Sequence, residues 1–192
     1  MIAARMTFPA ASPAFRHLEF EHRESAAFAD YWHSLPKQDL IPSRLDFDPC
    51  TQGPILSSYI IHELVAPDFI RLRLVGTKHL PGFGADVTGR NYLDFVEPAR
   101  RAKASRAIHL VCEQPCGMLV TLQSKTQEGR LYLNETFALP MRDNDGQARL
   151  VYYQSNSAPL AEYRPPSDKL AVLDIHKRIF IDIGAGMPDF ED

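Results

Sequence analysis

His109, Cys112 and Cys116 stand in an H-x-x-C-x-x-x-C spacing, three metal-competent side chains within two helical turns. A structural zinc site closes a tetrahedron with four ligands, and no fourth stands nearby, so a pair of free thiols is the reading and no metal is assigned. Asp143-Asn144-Asp145-Gly146 has the opening of a calcium loop. It lacks the closing Glu at the required distance, which leaves a hairpin turn. Gly82-x-Gly84 has neither the third glycine nor the strand before it that a dinucleotide site needs, and no phosphate-binding Gly-Lys-Ser or Gly-Lys-Thr follows. Arg100, Arg101, Lys103 and Arg106 crowd one segment, which reads as the solvated face of a helix. No residue is assigned a catalytic role.

Glu135 carries more information. Strand alternation puts it on the face of Leu133 and Phe137, where an unpaired carboxylate costs energy and its pKa rises unless it meets a partner or a ligand. The other reading sets it on an outer face, paired across strands with Arg71, Arg73 or Lys125. Around it, Leu74, Leu80, Phe83, Phe95, Ile108, Val120, Leu122, Leu133, Phe137 and Tyr153 are the candidate walls of a pocket for a small hydrophobic ligand. His109 and Glu135 are its candidate polar groups. Periodicity alone does not separate such a pocket from ordinary close packing.

These side chains need elements to hold them. Ala27, Phe28, Tyr31, Trp32 and Leu35 fall at helical spacing in Glu24 to Leu35, giving an amphipathic helix whose aromatic face, Phe28, Tyr31 and Trp32, is the candidate dimer interface. Pro36, Pro42, Pro49 and Pro54 then demand an extended connector. Ile55 to Leu64 and the alternation of Ile70, Leu72 and Leu74 predict two strands, and the breaker-rich Gly76 to Gly89 predicts short helical turns. Glu97-Pro98 opens the longest helix, which runs towards Cys112 and stops before Pro115. Three strands follow: Met118 to Gln123, Leu131 to Leu139 and Leu150 to Gln154, with turns at Gly129 and at Asn144-Asp145-Gly146.

The expected architecture is α+β, a five-stranded antiparallel sheet with helices over one face, flanked by an N-terminal amphipathic helix and a C-terminal extension. Its segments are a loose tail (1–23), the helix with its Pro-rich connector (24–54), the core (55–160) and the extension (161–192). The extension keeps Leu170, Val172, Leu173, Ile175, Ile179, Phe180, Ile181 and Ile183, apolar enough to pack on the core or on a partner.

The whole chain bounds the function. Its 192 residues, 45% hydrophobic, fill one sizeable core. Twenty-one Lys and Arg against twenty-four Asp and Glu give a net charge of −3, which draws the protein neither to nucleic acid nor to an anionic membrane. The first fifteen residues lack the apolar run of a signal peptide, no later stretch nears about 20 apolar residues, and three unframed cysteines suit a reducing compartment. A cytoplasmic location is expected.

The element order resembles the PAS domain. Three stretches sharpen the likeness: Ile41-Pro42-Ser43-Arg44-Leu45-Asp46-Phe47-Asp48-Pro49, Arg71-Leu72-Arg73-Leu74-Val75-Gly76-Thr77 and Thr88-Gly89-Arg90-Asn91-Tyr92-Leu93-Asp94-Phe95. They look like the signature of short, mostly alphaproteobacterial proteins with a single PAS domain, over roughly Trp32 to Pro159. The resemblance implies a bacterial sensory or signalling protein that binds a small ligand, a protein partner or both, forms a homodimer, and has no catalytic effector domain of its own. In flavin-binding light sensors of this kind a Cys follows the Asn of a Gly-x-Asn-Cys motif. Here Tyr92 takes that place, which argues against flavin adduct photochemistry. Haem-binding relatives use an axial His on the long helix, and His109 is the corresponding candidate. Two rival readings stand beside the sensor: a haem or other cofactor-bound redox or gas sensor, and a small cone-fold enzyme using Glu135 or Asp94 as base beside Tyr153.

Overall fold

The computed structural model describes residues 7–53, 55–157 and 170–191. The expected core boundary at 160/161, the first residues of the N-terminal tail, Pro54 and the prolines at 159, 165 and 166 lie outside the described residues.

The elements in chain order are β1 (Phe8–Pro9), β2 (Glu19–Phe20), α1 (Arg23–Ser34), β3 (Lys37–Gln38), β4 (Ile41–Pro42), β5 (Tyr59–Ala66), β6 (Phe69–Val75), α2 (Leu80–Phe83), α3 (Arg101–Glu113), β7 (Cys116–Thr126), β8 (Leu131–Arg142), β9 (Ala148–Ser157) and β10 (Leu170–Asp182). Short 3-10 turns, among them Tyr92–Phe95 and Pro98–Arg100, link α2 to α3. Pro98 sits at the start of its turn, where its missing N–H costs nothing. Among the described residues no helix is long and apolar enough to cross a membrane.

One sheet dominates, in the strand order β10-β7-β8-β9-β5-β6, with neighbours antiparallel throughout. Its last five strands are the expected sheet. The sixth, β10, comes from the C-terminal extension and pairs with β7 from Asp182↔Cys116 to Leu170↔Thr126.

The sheet is covered on both sides. Register sets Ile60, Val120, Thr136, Ala138, Val151 and Tyr153 on one face, packed against α3 through Ala104, Ala107, Ile108 and Val111. The opposite face carries Tyr59, Phe137, Leu139, Leu150 and Tyr152, packed against α1 through Phe28, Ala29 and Trp32.

Three expectations change as a result. Residues 8–20 do not form a loose tail: Phe15 and Phe20 are fully buried, and the Asp30 carboxylate accepts from the N–H groups of Ala11 and Ser12 at 3.0 and 2.8 Å. The Pro-rich connector folds onto the same layer, its Phe47 ring lying edge-on to Tyr31, Tyr59 and Tyr152. The aromatic face of α1 is not open to a second subunit. Phe28 is 0% exposed, Trp32 is 2% exposed with its indole N–H donating to Pro140 O at 2.9 Å, and the Tyr31 hydroxyl accepts from Asp48 N at 2.7 Å. The helical spacing gave the apolar face, and the chain's own sheet covers it.

Candidate ligand cavity

Between the α3 face of the sheet and the segment Lys78 to Tyr92 lies a cavity of about 280 Å³. Its floor comes from β5 and β9, where alternation points Ile60, His62, Tyr153 and Ser155 inward. Ser124, Asn134 and Thr136 continue the floor across β7 and β8. Lys78, His79, Gly82 and Phe83 form the mouth, Tyr92 one wall, and Leu170 and Leu173 of β10 another. The parallel bridge Val96↔Leu173 and the bond from Glu97 N to Leu173 O, 3.1 Å, hold β10 against the turn before α3. An adjoining recess of about 30 Å³ is lined by Ile108, Val120, Leu122, Tyr153 and Arg178.

His62 is the centre of the floor. Its ring lies 4.5 Å from both Tyr92 and Tyr153, centroid to centroid, and it is 3% exposed. Burial drives its pKa from 6.5 to about 3, so the imidazole is neutral and offers one N–H and one lone pair. Burial likewise holds the Tyr92 phenol up at about 12 and Tyr153 well above its ordinary range. Neither His62 Nδ1 nor the Tyr153 hydroxyl has a hydrogen-bond partner among the described residues. Buried polar groups are normally satisfied, so two such atoms in one cavity wall mark a place where a ligand or water would bond. The rest of the polar floor is paired within itself: Asn134 Nδ2 donates to Ser124 Oγ at 2.9 Å, and the Thr136 and Ser155 hydroxyls share a bond of 2.8 Å.

The candidate pocket residues scatter. Phe83, Leu122 and Tyr153 line the cavity, while Ile108 and Val120 line the recess. Leu133, Glu135 and Phe137 belong to the opposite face, because Thr121 pairs with Glu135 and Leu119 with Phe137, whereas Val120 and Leu122 pair with Thr136 and Asn134. Leu74 lies beyond a register shift in the β5–β6 pairing and is 42% exposed. Leu80 falls outside both linings, and Phe95 stacks edge-on to Phe83 at 4.9 Å behind the mouth. Of the floor, sequence reasoning missed His62, Ser124, Asn134, Thr136 and Ser155.

His109 does not reach the cavity. Its Nδ1 sits 2.9 Å from Ser105 O and 3.3 Å from Ser105 Oγ, so the imidazole is turned back on its own helix, a placement that does not fit an axial ligand to haem in this cavity. Cys112 and Cys116 are buried, their thiols pushed up by burial and directed at Leu150 O and Leu110 O; neither lines the cavity. The wall therefore has no thiol in reach of a flavin, and Tyr92 fills the position after Asn91. No cluster of metal-binding side chains occurs among the described residues. The basic helix meets its own neighbours, Arg100 pairing with Asp174 at 3.5 Å and Arg106 with Glu113.

Glu135 does not pair with a basic residue of β6. Its Oε2 accepts from Glu21 N and its Oε1 from the Ser25 hydroxyl, both at 2.6 Å, so it ties the entry of α1 to the sheet. Glu63 instead takes Arg71 and Arg73, at 3.1 and 3.3 Å. Burial raises the Glu135 pKa above 4.5 against the two hydrogen bonds that lower it. A raised carboxyl pKa means that the unfolded chain gives up its proton first. Stability from this group is therefore full below about pH 4.5 and falls as pH rises to the folded pKa. Glu135→Gln is expected to remove that decline, as measured by urea unfolding between pH 4 and 8. A parallel decline in the variant would show that the carboxyl does not titrate in this range.

An antiparallel sheet in this order carries a long helix across one face, with a cavity beneath it. The family model described as PAS domain matches residues 20–152, and the chain belongs to the PAS domain family. Among solved structures it is similar to the one described as "Flavin Analogue Sheds Light on Light-Oxygen-Voltage Domain Mechanism" (19% identity, TM-score 0.45, covering 58% of this chain and 84% of that one). It is also similar to an RNA-binding light-oxygen-voltage receptor (20%, 0.42, covering 64% and 36%) and to the LOV protein of Rhodobacter sphaeroides (13%, 0.42, covering 60% and 70%). A search of the curated proteins finds no match.

Proposed function

We propose that this chain senses a small molecule in the cavity over His62 and passes its presence to a protein partner, without chemistry of its own. The observation that carries the reading is the pair of buried, unsatisfied polar atoms, His62 Nδ1 and the Tyr153 hydroxyl, in the wall of a cavity of about 280 Å³. That volume lies near the lower end of small-molecule sites, roughly 300 to 1,000 Å³. The enzyme alternative loses its base: Glu135 is on the other face of the sheet, clamped by Glu21 and Ser25, and Asp94 is exposed outside the lining. The cofactor alternative loses its axial ligand with His109.

Output through association needs a surface other than α1. Leu74 on the edge strand β6 and Val65 beside it are 42% and 49% exposed, and they are the apolar side chains offered there to a signalling partner or a second copy. A net charge of −3 supplies no general attraction to nucleic acid. Native mass spectrometry of freshly purified protein tests the reading. Added mass that leaves on denaturation and is absent from Tyr153→Phe or His62→Leu is the expected result. A bare chain whose cavity amides do not move when a cell extract is added would overturn it.

A further inference from the structure

The chemistry of the walls narrows the ligand. Resting on the reading above, we infer that the cavity takes a small aromatic acid that also bears a hydroxyl group, with the hydroxyl at the floor and the carboxylate at the mouth. Three observations set this orientation. The deep end offers neutral hydrogen-bonding atoms without partners, His62 Nδ1 and the Tyr153 hydroxyl, in side chains 3% and 5% exposed. A hydroxyl group can donate to one and accept from the other, which matches a pair of neutral atoms without partners. Rings line the cavity from floor to mouth, His62, Tyr92 and Phe83, which favours a flat aromatic body over a branched aliphatic one.

The mouth carries Lys78, exposed and without an acidic partner among the described residues. Among the described residues no Asp or Glu lines either the cavity or its recess. The two histidines of the lining are held neutral, His79 by burial as well as His62. The charged side chain in the described lining is thus a cation, Lys78, and it selects an anion over a cation of the same shape.

Titration of the full chain, followed by amide NMR, tests the assignment with four probes of one size: 4-hydroxybenzoate, benzoate, 4-hydroxybenzamide and tyramine. 4-Hydroxybenzoate is expected to bind tightest and tyramine weakest, with shifts centred on His62, Lys78 and Thr136. Lys78→Ala should weaken 4-hydroxybenzoate about fivefold and leave 4-hydroxybenzamide unchanged, the size expected of an exposed ion pair. Tyr153→Phe should weaken 4-hydroxybenzoate and 4-hydroxybenzamide, again about fivefold, and spare benzoate. Tyramine binding as well as 4-hydroxybenzoate, or a Lys78→Ala variant that binds both probes as the parent does, would overturn the assignment. Should native mass spectrometry find a bound molecule that 4-hydroxybenzoate does not displace, the aromatic-acid class fails while the sensing role stands. Should neither probes nor extract bind, both fail.

Discussion

Phe137→Ala is expected to cost about 3 to 5 kcal/mol, because a fully buried ring is removed from the middle of a layer that cannot close over the gap. Phe137 meets Phe20, Phe15 and Phe28 edge-on, with centroids 5.0, 5.6 and 5.9 Å away. Those rings come from the β2 segment, the preceding turn and α1, so one side chain joins three separate stretches to the sheet. Domains of this kind are stable by roughly 5 to 15 kcal/mol, so the loss is a large part of the whole. Guanidinium unfolding followed by the fluorescence of Trp32, which lies 6.1 Å from Phe15, measures it. The cavity is on the other face, so a folded Phe137→Ala protein should keep its ligand. A loss below about 1 kcal/mol would mean that the α1 layer does not hold the sheet in the way described.

Acid should unfold the protein through His62. The folded state keeps this imidazole neutral down to about pH 3, whereas in the unfolded chain it takes a proton near pH 6.5. The unfolded state therefore binds more protons across that window, and stability present above pH 6.5 is lost as pH falls, by up to about 1.4 kcal/mol per unit. At pH 4 the loss from this residue is roughly 3 kcal/mol. His79, lowered mainly by burial, adds loss of the same sign, while Glu135 works in the opposite direction as its carboxyl takes up a proton. His62→Leu should flatten the slope by about one proton between pH 6 and 4 in urea titrations. An unchanged slope would show that His62 is protonated in the folded protein and that the floor of the cavity is charged.

Much of the frame was legible in the sequence, because helix and strand periods are local. The spacing in Glu24 to Leu35 gave α1, the alternations at Ile70 and Met118 gave β6 and β7, and Glu97-Pro98 marked a 3-10 turn that leads into α3 at Arg101. What alternation cannot give is which face of one strand adjoins which face of the next. Val120 and Phe137 are both apolar and both alternate, yet register sends them to opposite layers. The candidate pocket mixed the two cores for that reason. Glu135 reads from the sequence as a carboxyl in need of a partner or a ligand, but its partner in the fold, Glu21 N, lies 114 residues away and has no local signature. The floor of the cavity left a fainter mark. His62 falls at the parity of Ile60 and Leu64 in an apolar strand, and Ser124 continues the series Met118, Val120, Leu122; polar residues at core positions were the signal available.

The strand order has a consequence for how fast the molecule comes apart. β7, β8 and β9 are neighbours in sequence as well as in space, so their hairpins close short loops and form early. The pairing of β5 with β9 closes a loop of about 95 residues from Tyr59 to Gln154, and such contacts are made late. His62 rides on β5 and Tyr153 on β9, so the floor is complete only when that last pairing is made. A molecule held there stabilises the native state without stabilising the transition state that precedes it. Occupancy should therefore lengthen the native lifetime and leave the refolding rate unchanged, making the cavity a kinetic latch on the closed sheet.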